Sequence, residues 1–185
     1  MNPFKFKFRL LQKDDYNNYY FLINQLRKTE FSKESFETIV ENINMNMNMN
    51  MNMNMNSDYV SNPMEIWVIE NETNMNTKTM NTKPMDTKTM NTKPMDTSLI
   101  LLGAGTIIYE QKFIHNCGKV AHIEDVIICE SKRSSGLGKE LIQFLQEKAR
   151  QKNCYKVILN CEENISGFYE KCGFVKKNIQ MAKYF

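Results

Sequence analysis

Phe4 to Leu10 alternates Phe with Lys, a period of two that predicts a strand with one buried and one wet face. Tyr16 to Arg27 predicts a helix, with Asp14 or Asp15 as its cap, and Lys33 to Ile43 a second helix. Glu65 to Glu70 reads as a short strand, and Ser98–Tyr109 and Val120–Ile128 are apolar and β-rich. Gly138 to Lys152 places Leu141, Ile142, Leu145 and Ala149 at helical spacing. Lys156–Leu159 has the makeup of a buried strand. Ile165–Lys171 follows as a short helix capped by Asn164, and Val175–Tyr184 as the last strand. Strand, two helices, three strands, helix, strand, helix, strand is not a regular βαβ alternation. It predicts an α/β sandwich built on a mixed sheet.

Two stretches break this pattern. Asn44 to Asn56 strictly alternates Asn and Met, and Thr77 to Thr97 repeats a five-residue Thr-Lys-Pro/Thr-Met-Asn/Asp unit. A period of two also suits a strand, but identical repeats lack the varied contacts of a packed core. Regular Lys and Pro in the second repeat favour a solvated loop. Both are expected to be inserts in surface loops, at about 44–62 and 73–97, within one domain spanning 1–185.

Composition narrows the classes of function. The chain of 185 residues is 42% hydrophobic with 11 Phe and 8 Tyr, enough for a core. Its net charge of +3 suits a small anionic ligand as well as nucleic acid. No apolar run approaches a membrane span, and the N-terminus lacks the apolar stretch of a secretory signal. Five cysteines without a Cys-x-x-Cys pair suggest neither a disulfide framework nor a metal site, so reduced thiols in a cytoplasmic protein are expected.

The chemistry is carried by the segment Ile127 to Lys139. An apolar strand ends, a polar turn follows, and a helix opens at Gly136-Leu137-Gly138. Backbone N–H groups at a helix N-terminus, with the helix dipole behind them, favour an anion such as a pyrophosphate. Arg133 and Lys139 add positive charge, and glycine lets the anion approach the amides. Neither the Gly-x-x-x-x-Gly-Lys-Ser/Thr spacing of a P-loop nor the Gly-x-Gly-x-x-Gly dinucleotide fingerprint is present.

Arg133-Ser134-Ser135-Gly136-Leu137-Gly138 resembles the Arg/Gln-x-x-Gly-x-Gly/Ala signature of the GNAT acetyltransferases. Asn164 to Phe174 resembles that superfamily's late N-x-x-x-x-F-Y-x-x-x-G-F segment. Within it, His122-Ile123-Glu124-Asp125-Val126, Lys112-Phe113-Ile114-His115 and Cys154 to Leu159 resemble the glucosamine 6-phosphate N-acetyltransferases. The likeness runs from about Leu101 to Met181 and is weaker over Phe4–Ile43. It implies the GNAT fold, a mixed and mostly antiparallel twisted sheet flanked by helices. It also implies transfer of acetyl from acetyl-CoA, without a metal, to the 2-amino group of glucosamine 6-phosphate, by a homodimer whose sugar site lies near the subunit interface.

The resemblance also implies roles. Val126, Ile127 and Ile128 line the acetyl-pantetheine arm through backbone amides; Arg133, Ser134, Ser135, Gly136, Leu137, Gly138 and Lys139 hold the pyrophosphate. Tyr169 faces the sulfur and protonates or hydrogen-bonds the leaving thiolate. Glu124 and Asp125, with Val126, belong to the amino-sugar site, one of the acids binding hydroxyls or taking the proton. As neighbours in a strand, the two acids are expected to face opposite ways. Lys112, Phe113, Ile114, His115, Tyr155 and Lys156, with Arg27, surround the sugar phosphate. His122 is assigned no role.

Three positions depart from the family. Asn160 stands where relatives often carry an acid, so its side chain cannot act as a base, although its backbone can still meet the cofactor. Ser134 replaces a frequent glycine, and the C-terminal arginine has no clear counterpart in Lys183-Tyr184-Phe185. Two rival readings are a GNAT enzyme acting on a peptide or protein amine, and a non-catalytic CoA-binding module kept open by Asn160. Nucleic-acid binding through the Phe/Lys-rich start is disfavoured, because that alternation more simply gives one buried and one wet face.

Overall fold

The computed structural model describes residues 5–52, 63–72 and 100–185, the side chains of 46–52 excepted. Its elements run β1 (Phe6–Leu10), α1 (Tyr16–Ile23), α2 (Lys33–Asn52), β2 (Met64–Asn71), β3 (Leu101–Gln111), α3 (Ile114–Cys117), β4 (Lys119–Ile128), α4 (Leu137–Gln151), β5 (Cys154–Leu159) and α5 (Ser166–Glu170). The five strands form one sheet in sequence order. β1 to β4 are antiparallel neighbours and β5 joins β4 in parallel, so the sheet is mixed and mostly antiparallel.

Each face of the sheet has its own core. Leu137, Leu141, Ile142, Leu145 and Ala149 form the apolar stripe of α4 and bury completely against Ile107, Ala121 and Ile123. On the opposite face, Leu22 of α1 and Phe36 and Val40 of α2 cover Val68, Leu101, Ala104 and Ile127. Each fully buried Leu or Ile contributes roughly 1.5–3 kcal/mol relative to exposure, which fixes both layers. A carboxylate is buried at the lower edge of the α4 face. Glu65 accepts hydrogen bonds from Trp67 Nε1 at 2.8 Å and the Tyr109 hydroxyl at 3.1 Å, with Lys152 Nζ 3.9 Å away.

Several expectations change. α1 stops at Ile23 rather than Arg27, because the Asn24 side chain donates to Tyr20 O and accepts from Thr29 N, closing a turn in place of a further helical residue. Asp15 occupies the N-cap position of α1, as expected, but its side chain makes no capping bond to that helix. The buried Asp15 carboxylate is taken by both terminal nitrogens of Arg9, at 2.6 and 2.8 Å, and by the Gln12 amide at 2.9 Å.

α2 runs through Asn52, so the first half of the tract expected as a loop insert at 44–62 is helix. Once Phe36, Val40 and Ile43 have anchored a helix, adding residues costs little, and Met is a good helix former. The rest of that tract, from 53 to 62, and the second insert at 73–97 lie outside the described residues, as do Phe4 and the first residues of the strand expected from Ser98. Asn164 does not cap α5: it sits inside a 3₁₀ turn, Glu163–Ile165, that runs straight into the helix.

Val175–Tyr184 forms no strand among the described residues. Lys176, Lys177 and a left-handed Asn178 interrupt the apolar pattern, and Ile179, Met181 and Tyr184 are about nine-tenths exposed, so nothing in the described chain receives them.

Candidate active site

β4 changes partners halfway along its length. Its ladder with β5 ends at Ile123–Leu159, while its ladder with β3 continues to Ile128. From Glu124 to Ile128 one backbone edge therefore faces a gap beside β5. The gap begins at a bulge: Thr106 pairs with Glu124 and Ala104 with Ile127, which leaves one extra residue on β4. Asp125 takes a left-handed φ of 49° there. The bulge reverses the alternation, so Ala121 and Ile123 face α4, whereas beyond it Ile127 faces α1 and Val126 and Ile128 pack on the α4 side.

The bulge also changes the expected separation of the two acids. Asp125 is exposed and close enough to Tyr19 of α1 to help raise that phenol, which burial first and then Asp125 push up to about 12. Glu124 is half-buried, and desolvation first, then the Asp125 charge, lift its carboxyl above the ordinary range, against an opposing pull from His122. Asp125 thus acts on Glu124 through its charge, although adjacent residues of a regular strand would point apart.

Beyond the gap lies the turn singled out by the glycine pattern. After a 3₁₀ turn, Glu130–Lys132, Ser134 is left-handed at φ 63° and Gly136 at φ 91°. Gly136 is the N-cap of α4, whose 15 residues point their dipole at the turn. The Ser135 hydroxyl donates to Lys132 O at 2.7 Å, and Arg133 Nε donates to Ile128 O at 3.3 Å, tying the turn to the end of β4. Gly138 leaves room for α5, since a Cβ there would sit 3.2 Å from the Phe168 ring. Leu137 is fully buried and anchors the helix start, while Lys139 is exposed.

Tyr169 of α5 is buried, with ring contacts to Phe168 and Phe174. Burial first, then Cys161, Cys172 and Glu124, raise its phenol, which stays protonated at neutral pH. Among the described residues nothing hydrogen-bonds its hydroxyl. Asn160 is exposed just past the end of β5.

The phosphate candidates divide into two groups. The rings of His115 and Tyr155 pack at a 41° tilt with centroids 4.4 Å apart, and Lys156 Nζ lies 5.6 Å from the Tyr155 ring centroid. Phe113 and Ile114 are exposed on the same loop, which turns through left-handed His115, Asn116 and Cys117. Lys112 is engaged by the Glu110 carboxylate. Arg27 is exposed in the bend after α1, and that segment reaches the other end of β4, where Gln25 Oε1 accepts the Glu130 amide at 2.8 Å. The ten residues of β4 separate these ends by about 30 Å, so one chain does not bring Arg27 to Lys112 and His115. Sequence reasoning missed the His122–Glu110 contact at 2.9 Å, which joins residues twelve apart across two strands. No group of three or more potential metal ligands occurs among the described residues, and no helix there is long and apolar enough to cross a membrane.

The mixed sheet, whose parallel pair parts beside a glycine-capped helix, is the fold of the GNAT acetyltransferases, as comparison with known proteins shows. The sequence profile described as "Acetyltransferase (GNAT) family" matches residues 96–174. The chain belongs to the GNAT acetyltransferase family. The crystal structure of glucosamine-6-phosphate N-acetyltransferase from Arabidopsis thaliana superposes with a TM-score of 0.72 at 33% identity, over 98% of this chain and 99% of that one. Glucosamine 6-phosphate N-acetyltransferase 1 of Oryza sativa subsp. japonica is 51% identical over 85 residues, covering 46% of this chain and 52% of the rice protein. Glucosamine 6-phosphate N-acetyltransferase of Arabidopsis thaliana is 46% identical over 85 residues, covering 46% and 57%. The chain thus spans about half the length of the curated relatives it matches.

Proposed function

We propose that this protein transfers the acetyl group of acetyl-CoA to the 2-amino group of D-glucosamine 6-phosphate, releasing CoA and N-acetyl-D-glucosamine 6-phosphate. The observation that carries the reading is the gap between β4 and β5, which opens at Glu124 and leads to the turn at 133–139. It offers an extended thioester arm a backbone edge at Val126–Ile128 that β5 does not pair, with Ile128 O alone taken by Arg133, and offers a diphosphate the start of α4. The likeness to amino-sugar acetyltransferases supplies the acceptor.

In this reading Arg133 to Lys139 hold the diphosphate, with Nη atoms of Arg133 available because only its Nε is spent on Ile128. Glu124 accepts the ammonium proton, since its lifted carboxyl is a stronger base than an ordinary carboxylate. Asp125 tunes that basicity and binds sugar hydroxyls. Tyr169 delivers a proton to the departing sulfur, and Asn160 contributes backbone groups only. Lys112, His115, Tyr155 and Lys156 take the sugar phosphate. Because Arg27 lies at the far end of β4, it meets a phosphate beside these residues only if a second copy of the chain supplies it, which supports a homodimer with the sugar site at its interface. The domain is a single one working in the cytoplasm, with tracts near 44–62 and 73–97 inserted into it.

Thiol release from acetyl-CoA, followed with glucosamine 6-phosphate and with basic peptides, tests the reading. Release with the sugar and not with peptides is expected. Release with peptides alone would replace the acceptor, and no release with either, while CoA binds, would favour a binding module.

A further inference from the structure

A carboxylate–imidazole pair stands next to the candidate base. His122 Nε2 lies 2.9 Å from one oxygen of Glu110, and the other oxygen receives the Lys112 ammonium. Lys112 first, and His122 after it, hold the Glu110 carboxyl below the usual carboxylate range. Glu110 is therefore an ionised acceptor, His122 Nε2 carries the hydrogen, and in the neutral ring Nδ1 keeps its lone pair. His122 and Glu124 are alternate residues of an unbroken stretch of β4, opposite Ile108 and Thr106. Both side chains leave the same sheet face, about 6.6 Å apart along the strand, a distance one water spans. The His122 side chain is 28% exposed, so solvent reaches it.

We propose that His122, oriented by Glu110, is the relay that receives the substrate's proton from Glu124 and passes it to water. The inference rests on the amino-sugar reading above. The acceptor arrives as an ammonium ion. Glu124 removes one N–H proton and hands it through water to His122 Nδ1, giving an imidazolium that faces the Glu110 carboxylate. The freed nitrogen pair forms the C–N bond to the acetyl carbon, and the C–S bond breaks with its electrons on sulfur. Tyr169 protonates the sulfur and recovers its proton from the second N–H of the new amide nitrogen. His122 then releases its extra proton to solvent, so one proton leaves per acetyl transferred.

Two variants test this. His122→Gln keeps an N–H for Glu110 but has no nitrogen that accepts a proton, and His122→Ala leaves space for free imidazole. Thiol release with glucosamine 6-phosphate, CoA affinity and melting temperature are measured on the wild-type chain and both variants. The expected result is a kcat lower by roughly 100-fold in each variant, with KM and CoA affinity within about twofold and partial rescue of His122→Ala alone by millimolar imidazole. A His122→Gln enzyme as fast as wild type overturns the relay and leaves a purely structural hydrogen bond. So does a CoA-binding His122→Ala chain that imidazole does not rescue. A wild-type chain that releases no thiol with the sugar overturns the functional reading itself, a distinct failure.

Discussion

Tyr169 combines burial with a hydroxyl unclaimed by any described group, an arrangement that is unfavourable in a resting protein unless a ligand meets it. Tyr169→Phe removes one oxygen and leaves the ring contacts. Steady-state assays should show kcat reduced by roughly 10- to 100-fold with little change in the KM for acetyl-CoA. Glu124 gives a second outcome. Its carboxyl, raised by desolvation and then by Asp125, is protonated and unable to accept as pH falls through its lifted pKa. The acid limb of the kcat/KM profile should therefore lie above the ordinary carboxylate range, and Glu124→Gln should abolish that limb along with most of the rate. Tyr169 and Glu124 could be singled out as candidates because each sits in a short local motif. The His122–Glu110 pair could not, because the contact depends on the register of two strands, which no spacing along the chain reveals. Asp15 misled for a related reason: beside a helix it reads as a cap, but a guanidinium six residues back is the stronger partner.

Among the secondary-structure elements, β1 is held by charge as well as by its ladder. Arg9 spans Asp15 and Glu70, and Lys7 pairs with Glu70 at 2.9 Å. Burial pushes the Glu70 carboxyl up, but Lys7 and Arg9 together outweigh it and leave it below its ordinary value. A depressed carboxylate adds stability above its unfolded pKa and loses it as pH falls through the folded one. Glu70→Gln should therefore cost about 1–3 kcal/mol by chemical denaturation at neutral pH, a deficit that vanishes in strong acid. The elements expected at 65–70, 98–109, 120–128 and 138–152 formed with ends moved to 64–71, 101–111, 119–128 and 137–151, because α4 carries a single apolar stripe and β3 and β4 carry apolar residues to both cores. The bulge at Asp125 left only an ambiguous trace: two consecutive acids between Ile123 and Val126 interrupt the alternation, but the pairing with β3 is needed to show an extra residue there. The supposed last strand failed where alternation alone supported it, and α2 outran its apolar stripe because a helix once started continues cheaply.

At the scale of the molecule, the β2–β3 connection is closed at its base. The Asn71 amide donates to Ile100 O at 2.9 Å, so the chain leaves and re-enters the sheet at one point around the 73–97 tract. Replacing that tract with a short Gly/Ser linker should leave the melting temperature within a few degrees and CoA binding unchanged, since loop length adds only about 0.6 kcal/mol per doubling. A loss of folding would instead make the tract part of the domain. The mixed sheet with flanking helices was legible once the repeats were set aside. The separation of Arg27 from Lys112 was not, because distance across a sheet follows from strand direction rather than residue order. The parting of β4 from β5 has one more consequence. Past Ile123 and Leu159 the sheet loses a row of main-chain bonds, and the outer edge of the molecule is joined there by side-chain packing and the Gln146 amide on Cys172 O. A ligand hydrogen-bonded to the edge of β4 beyond Ile123 while touching α5 would act as a missing strand, so hydrogen exchange should be fastest along that seam without CoA and slow there when CoA is added.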